Sequence, residues 1–268
     1  MHLGASTKSF GGMSVAETAD IFAKSGLNCA ELCFCHTDLS GWKYNLTSYR
    51  PLPDGEDIHR ATESFSRQGI SVVSLGVYNC LWQGGASGFS ESLRCFCEYC
   101  DAAKQTGVNM LCTHSGVAEA RIFGGRVPED YKRLVFETFA CAFSEAHKRG
   151  ITVALECANW DAVKNYAEFL ELKRYIKSTL GTDEMLKYIG VPCYDSAYDN
   201  SDDIAMFHMK DKEKDAKFYT CFGKGDADFS EFFKGAKAYG DIPYILEYVT
   251  ASNAYEISCL LRKYAKEQ

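Results

Sequence analysis

The sequence predicts an α/β protein, a single (β/α)8 barrel over residues 1–268 with a shortened sixth βα unit. Three observations lead there. Amphipathic helices repeatedly end at a glycine, and a short apolar run follows at once: AKSG-LNCAELCF at Gly26, SRQG-ISVVSLGV at Gly69, KQTG-VNMLCTH at Gly107, HKRG-ITVALE at Gly150 and, more loosely, KAYG-DIPYILE at Gly240. The runs are rich in Val, Ile and Leu and do not alternate, as in strands covered on both faces. Length agrees, since the chain has 268 residues and such a barrel uses about 250.

Eight strands are predicted in order: HLGAST, CAELCF, ISVVSLGV, NMLCTHS, TVALE, YIGVPCY, IAMFHMK and YILEYV. Glycine after a helix supplies the left-handed cap, and Lys or Arg in the last turn suits the helix dipole. Strand and helix alternating in this way imply parallel strands with crossover helices. Between Asp195 and His208 lies only SAYDNSDDIAMF, too short for a full crossover helix, so the sixth unit is trimmed to a turn or one of those strands is misplaced. Long loops follow the second, third and fourth strands, at the barrel face where active sites are built.

Composition narrows the function. The formal net charge is −7 with no basic run, which argues against nucleic acid or an anionic membrane as partner. No stretch reaches the roughly 20 apolar residues that cross a bilayer, and MHLGASTKSF lacks the features of a secretory signal. The 13 cysteines are odd in number. Cys112, Cys141, Cys157 and Cys193 read as small buried hydrophobes in a reducing cytoplasm. Cys95, Cys97 and Cys100 read as a Cys-rich helix face rather than a metal site, because no second CxxC follows.

Chemistry concentrates at strand ends. Two strands end in Leu-Glu, at Glu156 and Glu247; His208 stands in MFHMKD and Asp195 in GVPCYDS. Two glutamates, an aspartate and an imidazole form a hard ligand set for one divalent cation: Mn²⁺ foremost, with Mg²⁺, Co²⁺ or Zn²⁺ as alternatives. Asp199 and the Asp202–Asp203 pair compete with Asp195 for that place. Two octahedral positions stay open for vicinal sugar oxygens, so the cation would polarise a carbonyl and stabilise an enediolate. Glu156 and Glu247 are the acid/base candidates: one removes a carbon-bound proton and the other returns it. His114 points to the same rim and is a candidate substrate contact. Lys210 and Asp211 are expected to form a local ion pair. In GKGDADFSEF, Asp228 with Glu231 reads first as a capping box and second as a phosphate cradle. Arg121, Arg126 and Lys214 are either phosphate contacts or solvated.

Together these segments (the Gly26-Leu27 to Ala30-Glu31-Leu32 opening, LECAN at 155–159, YDSAY at 194–198, HMKD at 208–211, GKGDADF at 223–229, and Leu246-Glu247) resemble the sugar phosphate isomerase/epimerase group of the xylose-isomerase-like TIM barrels along essentially the whole chain. The resemblance implies a divalent metal held by Glu156, Asp195, His208 and Glu247, with the two glutamates as acid and base. Asn159 matches a Leu-Glu-x-x-Asn pattern of ketose 3-epimerases. Tyr198 stands where the group often has His, Lys214 where it often has Arg, and the third strand lacks a frequent His. Those are substrate-orienting positions, so His114, Asn159, Tyr198 and Lys214 are the expected substrate contacts. The expected function is a metal-dependent isomerase or epimerase in carbohydrate metabolism, acting on a small sugar, keto-sugar or inositol derivative, cytoplasmic and possibly homo-oligomeric. Elimination by a related dehydratase, or a non-catalytic sugar-binding barrel, stays open. An endonuclease IV-like phosphodiesterase is disfavoured, since its three-zinc cluster draws on many histidines and the chain has 6.

Overall fold

The computed structural model describes residues 1–40, 55–78, 85–116, 118, 125–195, 198 and 201–266. Much of the three long loops, and with them Arg121 and Asp199, lies outside the described residues. The strands are β1 (Leu3–Ser6), β2 (Cys29–Leu32), β3 (Ser71–Gly76), β4 (Met110–His114), β5 (Thr152–Glu156), β6 (Leu186–Gly190), β7 (Ile204–Asp211), β8 (Thr220–Cys221) and β9 (Tyr244–Leu246). The helices are α1 (Val15–Lys24), α2 (Gly55–Arg67), α3 (Gly85–Thr106), α4 (Tyr131–Lys148), α5 (Tyr166–Leu180), α6 (Ser230–Gly235) and α7 (Ala254–Lys266). All eight predicted strands are present; β8 is an extra two-residue strand.

Two compact units divide the chain: residues 1–43, 53–74 and 189–268 in one, 44–52 and 75–188 in the other. In the first unit β2, β1, β9 and β7 lie side by side in parallel, and β8 pairs antiparallel with the end of β7. β3 joins through the Ser71 amide, which donates to Asn28 O at 3.0 Å. Helix α1 begins with a capping box between Ser14 and Glu17, as its sequence dictates. It buries Val15, Ala19 and Phe22, and the Phe22 ring meets Phe10 and Phe65 edge-on.

In the second unit β3 pairs with β4 and β4 with β5, both parallel, and β5 is followed by β6 in the strand order. Helices α4 and α5 bury Val135, Phe139, Phe143, Phe169, Leu172 and Ile176. Asn165 caps α5 by accepting the Glu168 amide at 3.0 Å.

The glycine rhythm is realised: Gly26, Gly69, Gly107, Gly150 and Gly240 have φ of 69°, 71°, 74°, 74° and 75°. The trimmed sixth unit is real too. Between β6 and β7 the only helical element among the described residues is a short 3-10 turn, Ser201–Asp203. Strand β6 stops at Gly190, short of the predicted YIGVPCY. Pro192 has no amide proton to continue a ladder. A Cβ on Gly190 would lie 2.5 Å from the Phe207 ring, so only glycine allows β7 this close. Of the cysteines expected inside, Cys112 and Cys157 are buried, Cys193 is half-buried and Cys141 is exposed. Cys141 is a correction: it sits on the outer face of amphipathic α4.

Candidate functional site

The first unit gathers four buried polar side chains. The strand registers explain how. Met209, Leu246, Ala5 and Ala30 lie level across β7, β9, β1 and β2. Lys210, Glu247 and Glu31 each stand one residue beyond that level, and His208 one residue before it. Side chains alternate along a strand, so His208 and Lys210 share a face of β7 while Met209 and Asp211 take the other. His208 Nε2 is 3.2 Å from Glu31 Oε2, and its Nδ1 is 3.9 Å from Glu247 Oε2. Lys210 Nζ donates to Glu247 Oε2 at 2.7 Å. Glu31 and His208 are 0% exposed, Lys210 3% and Glu247 7%. Carboxylates this deep are tolerable only with compensating charge or hydrogen bonds, and the ammonium and imidazole provide both.

The expected Lys210–Asp211 pair is therefore corrected. Asp211 points the other way and accepts the amides of Lys212 at 2.7 Å, Gly225 at 2.9 Å and Ala227 at 3.2 Å. It pins the GKGDADF segment. A Cβ on Gly225 would fall 2.5 Å from Asp211 Oδ1, which explains that glycine without a phosphate. The capping box is also corrected: Asp228 accepts the Ser230 amide at 2.8 Å, while Glu231 pairs with Lys234.

Asp195 lies in the turn after β6, half-buried. Its Oδ2 accepts the Val191 amide at 2.8 Å and the Tyr198 hydroxyl at 2.9 Å. The Tyr198 ring packs on Phe207 and Tyr239. Burial, then the neighbouring Asp195 charge, push its phenol well above the usual tyrosine range. Lys214 is exposed, and its backbone amide donates to Asp226 Oδ2 at 2.8 Å. A cavity of about 290 Å³, lined by Met1, Phe233, Lys237, Asp241 and Tyr244, opens where β9 begins, at the opposite end of that strand from Glu247.

In the second unit Glu156 ends β5, 4% exposed, opposite His114 of β4. His114 Nδ1 is 3.1 Å from the Glu156 carbonyl oxygen and 3.1 Å from Asp161 Oδ2. A carbonyl only accepts, so Nδ1 carries a proton, and in the neutral ring the lone pair lies on Nε2. The ring leans on Tyr78, centroids 5.1 Å apart. Asp161 is fully buried. Burial raises its pKa; His114 opposes that and the Glu156 charge adds to it. Asn159 is exposed.

The structure thus brings together His208 with Glu247, His114 with Glu156, and Asp195 with Tyr198, and leaves Asn159 and Lys214 at the surface. Sequence reasoning gave no role to Glu31 or Asp161. Glu31 had a signal, an acid inside an apolar strand; Asp161, in a loop, had none.

Residues 19–264 match the model of the family described as xylose isomerase-like TIM barrel. No curated protein matches the sequence. Among solved structures, an IolI protein with a bound zinc atom is similar over 100% of this chain and 99% of its own, at 15% identity and TM-score 0.74. An L-ribulose 3-epimerase is similar over 99% and 94%, at 13% identity and TM-score 0.74. A D-allulose 3-epimerase from Methylomonas sp. is similar over 98% of each chain, at 13% identity and TM-score 0.70. No helix among the described residues is long and apolar enough to cross a membrane. With strands, glycine-capped helices and family model in agreement, the fold is the predicted (β/α)8 barrel, and the chain belongs to the xylose isomerase-like TIM-barrel family.

Proposed function

We propose that the chain is a divalent-metal-dependent isomerase or epimerase of a small sugar, keto-sugar or inositol derivative, working as one barrel domain over residues 1–268. Glu156, Asp195, His208 and Glu247 are its metal ligands, and Glu156 and Glu247 its acid and base. The observation that carries this reading is the buried His208–Glu247 pair, with Nδ1 3.9 Å from Oε2 and a second carboxylate, Glu31, at the other ring nitrogen. The donor set fits a divalent cation: an imidazole nitrogen and carboxylate oxygens, with a carboxylate behind the histidine as metal-bound histidines usually have. Its oxygen-rich character favours Mn²⁺, with Mg²⁺, Co²⁺ or Zn²⁺ as alternatives. Zinc in the IolI structure and the two epimerases among the similar folds support a cation and a sugar.

A cation bound there supplies Lewis-acid polarisation of the substrate carbonyl, which acidifies the neighbouring carbon–hydrogen bond. One glutamate then takes the proton from that carbon. The other, protonated at the outset, delivers its own proton to the opposite face for epimerisation, or to the next carbon for isomerisation, and ends as a carboxylate. Lys210, which donates to Glu247 Oε2 at 2.7 Å, fixes that carboxylate in orientation until it acts. His114, protonated on Nδ1, offers Nε2 to a substrate hydroxyl. Asn159, Tyr198 and Lys214 are the other proposed substrate contacts.

The test is metal content by mass spectrometry after Mn²⁺ loading and desalting, for wild type and His208→Ala. A single ion per chain in wild type, lost in the variant, is expected. Exchange of carbon-bound hydrogen in deuterated water across a sugar panel then identifies the reaction. Wild type that retains no metal and catalyses no exchange would overturn the reading.

A further inference from the structure

The proposed metal site says nothing about what orients its only imidazole. His208 has two ring nitrogens, and only the one turned toward Glu247 lies on the side of the reaction. The other, Nε2, faces Glu31 Oε2 at 3.2 Å, with both residues 0% exposed. Glu31 is 177 positions away in sequence. It belongs to β2, whose pairing with β1 in register Ser6↔Glu31 leaves the carboxylate little freedom along the strand.

We propose that Glu31 is the positioning residue of this site: its carboxylate keeps a proton on His208 Nε2 and thereby turns Nδ1, as a lone-pair donor, toward Glu247. A buried carboxylate gains most from a charge-assisted hydrogen bond, and Nε2–H of His208 is at bonding distance. A neutral imidazole has one N–H and one lone pair, so fixing the proton on one nitrogen assigns the lone pair to the other. Lys210 satisfies Glu247 from the other side at 2.7 Å, so Glu247 does not have to compete for the imidazole proton. Glu31 touches neither substrate nor cation in this scheme and acts only through His208. The inference rests on the metal-site reading for its purpose, but the proton's position can be measured without any metal.

The experiment is nitrogen-15 NMR of the full-length, metal-free protein with labelled histidine, His208 being assigned by the resonances absent from His208→Asn. In wild type a protonated Nε2 is expected, with a slowly exchanging, hydrogen-bonded proton. Glu31→Ala should lose that slow exchange. Glu31→Gln, whose amide oxygen still accepts, should keep it. Mn²⁺ affinity, measured by calorimetry, should fall roughly 10- to 100-fold in Glu31→Ala and less in Glu31→Gln. A bare Nε2 in wild type, with Glu31 as the protonated donor, would overturn the proposal even if Glu31→Ala fails to fold. So would Glu31→Ala with the Nε2–H resonance and Mn²⁺ affinity unchanged. If no variant, wild type included, binds Mn²⁺ while the NMR results hold, the metal reading fails and the assignment of Glu31 stands.

Discussion

Two histidines end up beside buried carboxylates in this chain, one in each compact unit, and they are wired in opposite senses. His208 is fully buried, with Nε2 on Glu31 and Nδ1 facing Glu247. His114 is about one-fifth exposed, with Nδ1 donating to the Glu156 carbonyl and Asp161 Oδ2 3.1 Å away. In His208 the proposed lone pair is on Nδ1; in His114 the carbonyl contact puts it on Nε2. The same side chain, within β7 in one unit and at the end of β4 in the other, is thus made a deep, fixed group in the first and a half-open hydrogen-bonding group in the second. Surroundings decide the role: two carboxylates and an ammonium close in on His208, while His114 has a backbone oxygen, one carboxylate and a tyrosine ring.

The comparison breaks most visibly at the proposed acid and base. Glu156→Gln or Glu247→Gln should lower turnover by about 10²- to 10⁴-fold and abolish exchange of the substrate's carbon-bound hydrogen, with the circular dichroism spectrum unchanged. Undiminished exchange in both variants would remove the acid/base assignment. Next in size is Lys210→Met. It leaves the Glu247 carboxylate buried without its cation, so stability should drop by about 3–5 kcal/mol, read from urea unfolding. A loss near zero would mean that the fold does not depend on the Lys210–Glu247 pair. Tyr198→Phe removes one hydroxyl donor to Asp195 and should cost about 1–3 kcal/mol by the same assay; no loss would show that the hydroxyl bond contributes nothing.

Asp161 sharpens the other half of the comparison through pH. Its folded pKa is raised by burial, so the native state holds that proton more tightly than the unfolded chain does. The associated stability is complete below the ordinary aspartate value of about 3.9 and is lost as pH rises through the folded value. Measured against Asp161→Asn, wild type should therefore become relatively less stable as pH rises from about 4. A difference that stays flat, or moves in favour of wild type, would contradict the raised pKa.

Several of these residues were placed by sequence pattern alone. Glu156 and Glu247 sit where apolar strands stop, whereas His208, expected at such an end, lies within β7, which runs on to Asp211. The trimmed sixth unit follows from the twelve residues available between Asp195 and His208. Asp195 was read as the end of a strand, but Pro192 and Gly190 end β6 earlier and Asp195 lies in the following turn. Both signals were present in the sequence and were outweighed by the apolar run. Lys210 was paired with its neighbour Asp211, although alternation along β7 puts the two on opposite faces.

What the sequence by itself determined is the alternation of strand and helix, the glycine-capped joints and the residues at each strand end, because propensity, capping and hydrophobic period are local properties. What only the tertiary structure decided is who faces whom: Glu31 against His208 across 177 positions, Lys210 against Glu247, Asp161 against His114. Those pairings depend on the register between strands and on the course of loops. Register is fixed by packing many side chains at once, and no local stretch of sequence contains it.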